Sequence, residues 1–406
     1  MDIQVDHQFL IRTLQQLIRI NSVNPSLDPH APGEAKIGSF LAQTIKNMNL
    51  KPKIHHLEPG RVNVTTVIKG TGGGRSLMIN GHMDTVGVYN MKEPFSGTIS
   101  EGKIFGRGSI DMKAGIAAAL TLVKALVEHK IKLKGDLIIA FVADEEYASI
   151  GTEHLVKVYQ TDAAIVTEPT GLDICLAHKG FGLFEFSTTG KAAHGSLPEE
   201  GIDANMHMGM IMTELNRLSH KLQSKSPHPL LGRPSLHIPI IKGGTEPFTY
   251  AENCKMKMEI RTLPGDTLEK TLSELNAIIK KLSARIDNFN AAVKPIMWRN
   301  PYEIDKTNKI VTKLFDSVKD VTGRKPSYIG HPWWEDSSLL GKAGMDTVII
   351  GPKGGGLHAK KEWADIRSVL DLTGILYKTT LNYCNLLPLK ISKQQRLLHT
   401  SLQEIR

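Results

Sequence analysis

Metal-binding side chains follow four apolar segments of this chain, each of which is predicted to form a buried strand. They are His82 after SLMIN, Glu145 and Glu146 after LIIAFVA, Glu168 after AIV, and His358 after TVIIGPKGGG. The carboxyl ends of neighbouring parallel strands meet at one edge of a sheet, where α/β proteins place their ligand-binding residues. Imidazoles and carboxylates bind divalent transition metals. The sequence therefore predicts a divalent-metal site at this edge.

Two aspartates near these positions admit both a metal-related and a structural role. Asp84 forms an HxD pair with His82, and its carboxylate is placed to hold the imidazole ring in one tautomer. An isolated histidine at a strand end is more often a hydrogen-bonded structural residue. Asp111 is predicted to open a helix, where it is either another metal ligand or the N-cap. Taken alone, neither motif identifies a metal site.

The ADEE segment gives a stronger indication, because Asp144, Glu145 and Glu146 directly follow seven apolar residues. Carboxylates at a buried strand end require a compensating positive charge. Successive side chains diverge, so one glutamate can bind a metal while its neighbour acts as a general base. The alternative is a surface turn with solvated carboxylates. Pro169 favours an extended backbone at Glu168, which directs that carboxylate to the same edge.

Alternating helices and strands are predicted to position these residues. The apolar patterns indicate helices over 6–20, 34–48, 305–319 and 366–385 and strands over 62–68, 76–80, 136–142 and 347–351. The strand over 136–142 is almost entirely apolar, as expected where both faces of a parallel sheet are covered. The alternation predicts an α/β fold with a mostly parallel sheet.

A different order of elements is predicted in the middle of the chain. Strands over 182–189, 235–241, 254–261 and 290–296 and helices over 202–222 and 267–286 give a βαββαβ, ferredoxin-like unit. A chain of 406 residues is long enough for two domains. We therefore expect residues 179–293 to form a second domain, inserted into a first domain of 1–178 and 294–406. The polar segment 388–406 is predicted to be an appendage.

Composition argues against several classes of protein. The 50 Lys and Arg residues exceed the 41 Asp and Glu residues, which gives a net charge of +9. The basic residues are spread over helix faces and are not interleaved with aromatic residues as in a nucleic-acid groove. The net charge is therefore the one feature that favours nucleic-acid binding. The three cysteines have no CxxC spacing, which predicts neither a disulfide framework nor a structural zinc site and favours the cytoplasm. Neither a signal peptide nor a membrane span is predicted.

Six motifs, in this order and spacing, resemble the acetylornithine deacetylase and succinyl-diaminopimelate desuccinylase family of metallo-aminoacylases and carboxypeptidases. They are GHMDT, GRGSIDMKAGIAAAL, ADEE, TEPT, GKAAHGSLPEEGIDAN and GGLHAKKEW. The resemblance spans nearly the whole chain. It implies a catalytic domain of aminopeptidase-like type, with the inserted domain as its lid and dimerisation domain.

The resemblance also implies a pair of divalent metal ions, usually zinc, bridged by Asp111. His82 and Glu168 would complete the ligands of one ion, and Glu146 and His358 those of the other. Two adjacent cations lower the pKa of a shared water and stabilise the attacked carbonyl oxygen. Cobalt and manganese are alternatives to zinc, since nitrogen and oxygen ligands discriminate weakly among these ions.

Other functional residues are implied in the same way. Glu145 resembles the general base, and His194 resembles a histidine that reaches the partner subunit's site to stabilise the oxyanion, which implies a homodimer. Arg261 resembles an arginine that binds the substrate carboxylate. Gly355 and Gly356 allow backbone to approach a substrate closely. The alternatives are a surface histidine at a turn, an arginine paired with a structural acid, and a flexible turn.

These residues together predict metal-dependent hydrolysis of an N-acyl amino acid, with neither nucleic acid nor membrane as a partner. A dipeptidase or carboxypeptidase is the alternative within the family, and a non-catalytic scaffold or binding protein is the alternative outside it. One departure bears on specificity. The family usually shows an Asn and then Pro-Asp after the pair Gly243 and Gly244, whereas this chain has Pro247, Tyr250 and Ala251.

Overall fold

The computed structural model describes residues 5–387 of the chain. Its helices are α1 (His7–Arg19), α2 (Ala35–Asn47), α3 (Ala114–Glu128), α4 (Ile150–Val158), α5 (Ala204–Ser224), α6 (Leu268–Ser283), α7 (Lys309–Thr322), α8 (Ser337–Lys342) and α9 (Ile366–Cys384). The predicted appendage, residues 388–406, lies outside the described residues. Within residues 5–387, no helix combines the length and the apolar character needed to cross a membrane.

The strands are numbered in chain order. They are β1 (Lys53–Glu58), β2 (Arg61–Ile68), β3 (Leu77–His82), β4 (Ile99–Ser100), β5 (Lys103–Phe105), β6 (Leu137–Val142), β7 (Ala163–Val166), β8 (Ile174–His178), β9 (Gly180–Thr189), β10 (Ser235–Gly243), β11 (Asn253–Thr262), β12 (Asn290–Arg299), β13 (Tyr302–Glu303), β14 (Tyr328–His331), β15 (Asp346–Ile349), β16 (Gly354–Gly355) and β17 (Trp363–Asp365). Helices and strands divide between two compact units. The described part of the first unit is 5–174, 305–327 and 339–387, and the second unit is 175–304 and 328–338.

The central sheet of the first unit has the strand order β1-β2-β6-β3-β7-β15. Strands β3, β6, β7 and β15 run parallel, while β1 and β2 add an antiparallel hairpin at one edge. Every residue of β3, β6 and β7 is buried, as expected for parallel strands that are covered on both faces. The predicted α/β fold with a mostly parallel sheet is confirmed.

Helix α3 is buried along nearly its whole length and brings the GRGSIDMKAG segment against the sheet. Gly115 allows this approach, since a Cβ atom there would lie 2.4 Å from Thr167 Oγ1, directly before Glu168. The prediction that Asp111 opens this helix is wrong. The regular helix begins at Ala114, and Asp111 has non-helical backbone angles, φ −116° and ψ 92°. Asp111 therefore does not cap the helix.

The second unit contains a four-stranded antiparallel sheet with the order β10-β11-β9-β12. Its elements follow each other along the chain as β9-α5-β10-β11-α6-β12, which is the βαββαβ order. Asp203 and Thr267 cap helices α5 and α6 through their side chains. Alternate residues of β9 and β11, such as Phe184 and Met256, are buried in the core beneath the two helices. The opposite face of the sheet is more exposed.

Candidate metal centre

Asp111 lies between two histidines of the first unit. Its Oδ1 atom is 3.0 Å from His82 Nε2, and its Oδ2 atom is 3.2 Å from His358 Nε2. The aspartate is buried, and the non-helical backbone before α3 directs it to this position. Because each carboxylate oxygen faces a different imidazole, the arrangement is that of a carboxylate able to bridge two cations.

Each histidine also contacts a second carboxylate. His82 Nε2 is 3.2 Å from Glu168 Oε1, and His358 Nε2 is 3.2 Å from Glu146 Oε2. Donor atoms that share a tetrahedral zinc ion at ordinary bond lengths lie about 3.3 Å apart. The observed separations are close to that value. The residues thus divide into two sets of three potential ligands that share Asp111, which is the division that the family resemblance implies.

The composition of the cluster suits divalent cations. Four carboxylates, from Asp111, Glu145, Glu146 and Glu168, surround two imidazoles. Glu146 Oε1 is buried and has no hydrogen-bond partner among the described residues. A buried carboxylate oxygen without a partner is costly unless a cation or a donor satisfies it. The donor set therefore fits a pair of divalent metal ions.

The pKa shifts show how strongly these charges interact. Burial, together with the charge of Asp111, raises the pKa of Glu146 to about 7. Hydrogen bonds to Asp111 and Glu146 raise the pKa of His358 to about 10. Burial alone would lower the pKa of His82, but the neighbouring Glu168 and Asp111 carboxylates raise it well above its ordinary value. The site therefore strongly favours positive charge at its centre.

Glu145 is half-buried beside this cluster, and one of its oxygens lies within 4.8 Å of ligand atoms of His82 and Glu168. Asp84 fixes the backbone of both glutamates, since its Oδ1 and Oδ2 atoms accept the N–H groups of Glu145 and Glu146, each at 3.2 Å. The main-chain oxygen of Asp84 is 3.0 Å from His82 Nδ1. One residue therefore positions a potential ligand and the potential base together.

A buried polar layer that the sequence did not predict supports Asp84 and the ADEE segment. Asn24 Nδ2 donates to Asp84 Oδ2 at 2.8 Å and to Asp144 Oδ1 at 3.0 Å. Arg61 donates to both oxygens of Glu34, at 2.6 and 2.9 Å, and to Asp144 Oδ1 at 2.8 Å. All of these side chains are almost completely buried. The layer holds the turn that carries Glu145.

Replacing Arg61 with alanine is expected to destabilise the protein by about 3–5 kcal/mol, because Glu34 and Asp144 would remain buried without their cation. Urea unfolding followed by circular dichroism measures this change. Arg367→Ala is the matched control, since that arginine is 78% exposed and pairs with Asp371 across one helical turn. A change of about 1 kcal/mol or less is expected for the control. Equal stability losses in the two variants would contradict the prediction.

Glu362 is a further supporting residue that the sequence did not predict. It accepts hydrogen bonds from Arg107 Nη1 at 2.6 Å and from the backbone N–H groups of Ile110 and Asp111 at 3.0 and 3.2 Å. These contacts fix the segment that carries Asp111. Glu362 lies four residues after His358, within the motif GGLHAKKEW, and this position was the one signal in the sequence for a role near the cluster.

The remaining predicted residues have local contacts that are distinct from the cluster. His194 is exposed in the second unit, where its Nδ1 atom is 2.8 Å from Ser196 Oγ. Arg261 Nε donates to Glu259 Oε1 at 2.5 Å, so the arginine is paired with an acid on its own strand. Gly356 has φ +77°, and a Cβ atom there would lie 1.8 Å from Lys361 O, which makes the glycine a requirement of this turn.

Residues 78–382 match the model of peptidase family M20/M25/M40. The chain belongs to this family. The family resemblance read from the six motifs is confirmed, and the protein is a hydrolase of the amidohydrolase and peptidase class. Members of family M20 depend on metal ions, in keeping with the cluster around Asp111.

Similar proteins include both deacylases and peptidases. An acetylornithine deacetylase of Aliivibrio fischeri is 28% identical over 390 residues, which cover 91% of this chain and 97% of the relative. A tripeptidase from Staphylococcus aureus has a TM-score of 0.78 at 19% identity, with 94% of this chain and all of that chain covered. A dinuclear metal-binding M20 peptidase from Bacillus subtilis has a TM-score of 0.69 at 15% identity, with 92% and 97% covered. The structural likenesses support the M20 fold.

Proposed function

We propose that this M20 hydrolase cleaves the amide bond of N-acyl amino acids and releases a carboxylate and a free amino acid. The observation that carries the proposal is the pair of ligand sets that share Asp111, with Glu145 beside one of them. The similarity to an acetylornithine deacetylase over almost the full length of both chains supports deacylation over other amide hydrolyses.

We propose zinc as the metal, with cobalt and manganese as alternatives. His82, Asp111 and Glu168 would hold one ion, and His358, Asp111 and Glu146 the other. Bound there, a metal pair would make water more acidic and polarise the scissile carbonyl group. His358 is the most accessible of these ligands, with 52% of its side chain exposed, so its ion is expected to exchange first.

Proton transfer is assigned to Glu145. Its carboxylate takes a proton from the attacking water and delivers it to the nitrogen of the leaving amine, which completes amide cleavage without a net change in the enzyme. Asp84 positions this carboxylate through the backbone N–H of Glu145 and keeps the His82 ring fixed. Both functions require the buried layer around Asn24 and Arg61 to stay intact.

Substrate binding is proposed to involve the second unit. His194 would donate to the developing oxyanion in the partner subunit of a homodimer. Arg261 would bind the carboxylate of the amino acid by exchanging its pairing with Glu259 for the substrate. Gly355 and Gly356 would line the substrate site through their backbone. Since Cys175, Cys254 and Cys384 are all buried and free, we place the reaction in the cytoplasm.

A panel of substrates tests this function. The zinc-loaded protein is expected to release amino acids from N-acetyl and N-succinyl substrates, measured by detection of the new primary amine. Cleavage of dipeptides is the alternative outcome, which the likeness to a tripeptidase makes the second candidate. Rapid dipeptide cleavage without any deacylation would overturn the proposal. The Glu145→Gln protein, purified in parallel, controls for contaminating hydrolases.

A further inference from the structure

A lysine-rich pocket lies on the exposed face of the four-stranded sheet in the second unit. It has a volume of about 480 Å³ and is lined by Lys242, Lys255 and Lys257, with the acids Glu185 and Glu252 also in its wall. A cavity of this size accommodates a small molecule. Neither the proposed hydrolysis nor the metal cluster uses these lysines.

Strand register places the lysines side by side. Lys242 on β10 is directly opposite Lys255 on β11. In the next row of the same face, Lys257 is opposite Glu185 on β9, and Glu185 is opposite Lys294 on β12. Two adjacent rows therefore carry four lysines and a single glutamate. Like charges directly opposite each other destabilise a sheet, so this arrangement costs stability unless an anion is bound.

The acid within these rows already has a partner. Lys294 Nζ is 3.0 Å from Glu185 Oε1, and this hydrogen bond, with further contributions from the charges of Lys255 and Lys257, lowers the pKa of Glu185. Within residues 5–387, Lys242, Lys255 and Lys257 form no salt bridge of their own. The three lysines thus outnumber the two carboxylates in the pocket wall, Glu185 and Glu252, and neither carboxylate forms a salt bridge with them among the described residues.

We propose that this lysine pocket binds a small molecule through a carboxylate group of that molecule. Ammonium groups bind carboxylates through charge-assisted hydrogen bonds, which are stronger than hydrogen bonds between neutral groups. The carboxylate belongs either to the acyl group of a substrate or to a separate metabolite that binds the second unit. Both ligands would use the same three lysines, and binding itself does not depend on the proposed hydrolysis.

Equilibrium dialysis of the metal-loaded protein against radiolabelled succinate tests the pocket directly. The Lys242→Ala/Lys255→Ala variant is expected to bind succinate at least roughly tenfold more weakly than the unmodified protein, because it loses two charged donors. The Lys225→Ala/Lys280→Ala variant removes the same charge from exposed positions of the same unit and is expected to bind normally. Equal binding by all three proteins, or no binding at millimolar succinate, would overturn the inference.

Two further measurements separate the sources of the carboxylate. Succinate binding that disappears after chelation of the metal and survives in the pocket variant would belong to the metal centre and reject the inference. A larger loss of kcat/KM for an N-succinyl than for an N-acetyl substrate in the pocket variant would assign the carboxylate to the substrate. If the pocket variant loses succinate binding but keeps the same kcat/KM for both substrates, the carboxylate would belong to a separate metabolite. If neither substrate is hydrolysed, the proposed function is contradicted, whereas the succinate binding measured by dialysis remains valid.

Discussion

The Glu145→Gln variant is expected to hydrolyse N-acyl amino acids roughly a hundredfold to ten-thousandfold more slowly than the unmodified protein, since this is the usual contribution of a general base. Glutamine keeps the shape of the side chain and the backbone hydrogen bond to Asp84, but it cannot accept the proton of water. The loss should appear in kcat, because the groups that bind substrate are unchanged. Steady-state kinetics with an N-acetyl amino acid measures it.

Metal content distinguishes the two roles that Glu145 can have in this cluster. Because its oxygen lies within 4.8 Å of ligand atoms of His82 and Glu168, the residue is also close enough to share an ion with them. The Glu145→Gln protein is expected to keep its full metal content in elemental analysis. Loss of one ion would show that Glu145 is a metal ligand instead of a general base. Glu58→Gln, at an exposed position on β1, is the control and should retain normal kinetics.

The Asp111→Asn variant is expected to lose both metal ions and with them at least roughly a thousandfold of kcat/KM, because metal activation of water and carbonyl is lost together. Asp111 is the only residue of the cluster whose two oxygens face both histidines in the described part of the chain. Elemental analysis should give about two ions per chain for the unmodified protein and close to none for the variant.

The metal content of the Glu146→Gln variant provides a comparison for this test. Glu146 contacts His358 through Oε2, so its variant is expected to lose the ion on the His358 side and to retain the other. Asp316→Asn, at an exposed position on α7, controls for the change of charge and should bind both ions. An Asp111→Asn protein that retained both ions would show that the aspartate does not bridge them.

The potential ligands could be predicted from sequence because they follow apolar strands. His82 ends β3, Glu145 and Glu146 follow β6, and Glu168 follows β7, so local pattern and the geometry of a parallel sheet together predict the cluster. His358 is different, since the short strand β16 separates it from the end of its apolar strand, β15. The prediction that Asp111 opens a helix was wrong because the backbone at Asp111 and Met112 departs from helical angles before α3 begins at Ala114.

The supporting residues could not be predicted because their partners are distant in the chain. Arg61 and Asp144 are separated by 83 positions, and Asn24 and Asp144 by 120. Each looks like an ordinary polar residue in its own segment, and only the folded chain shows that they share one buried layer. Arg261 shows the opposite case, since pairing with a structural acid was one of the two alternatives that the sequence left open, and its partner Glu259 is only two residues away.

The hydrogen bond from the backbone of Asp111 to Glu362 joins positions 251 residues apart. The ribosome must therefore add the chain as far as Glu362 before the last supports of this aspartate exist. Until then, the nascent chain has neither His358 nor Glu362, and a polypeptide released early would lack two of the residues that form or support the candidate metal centre.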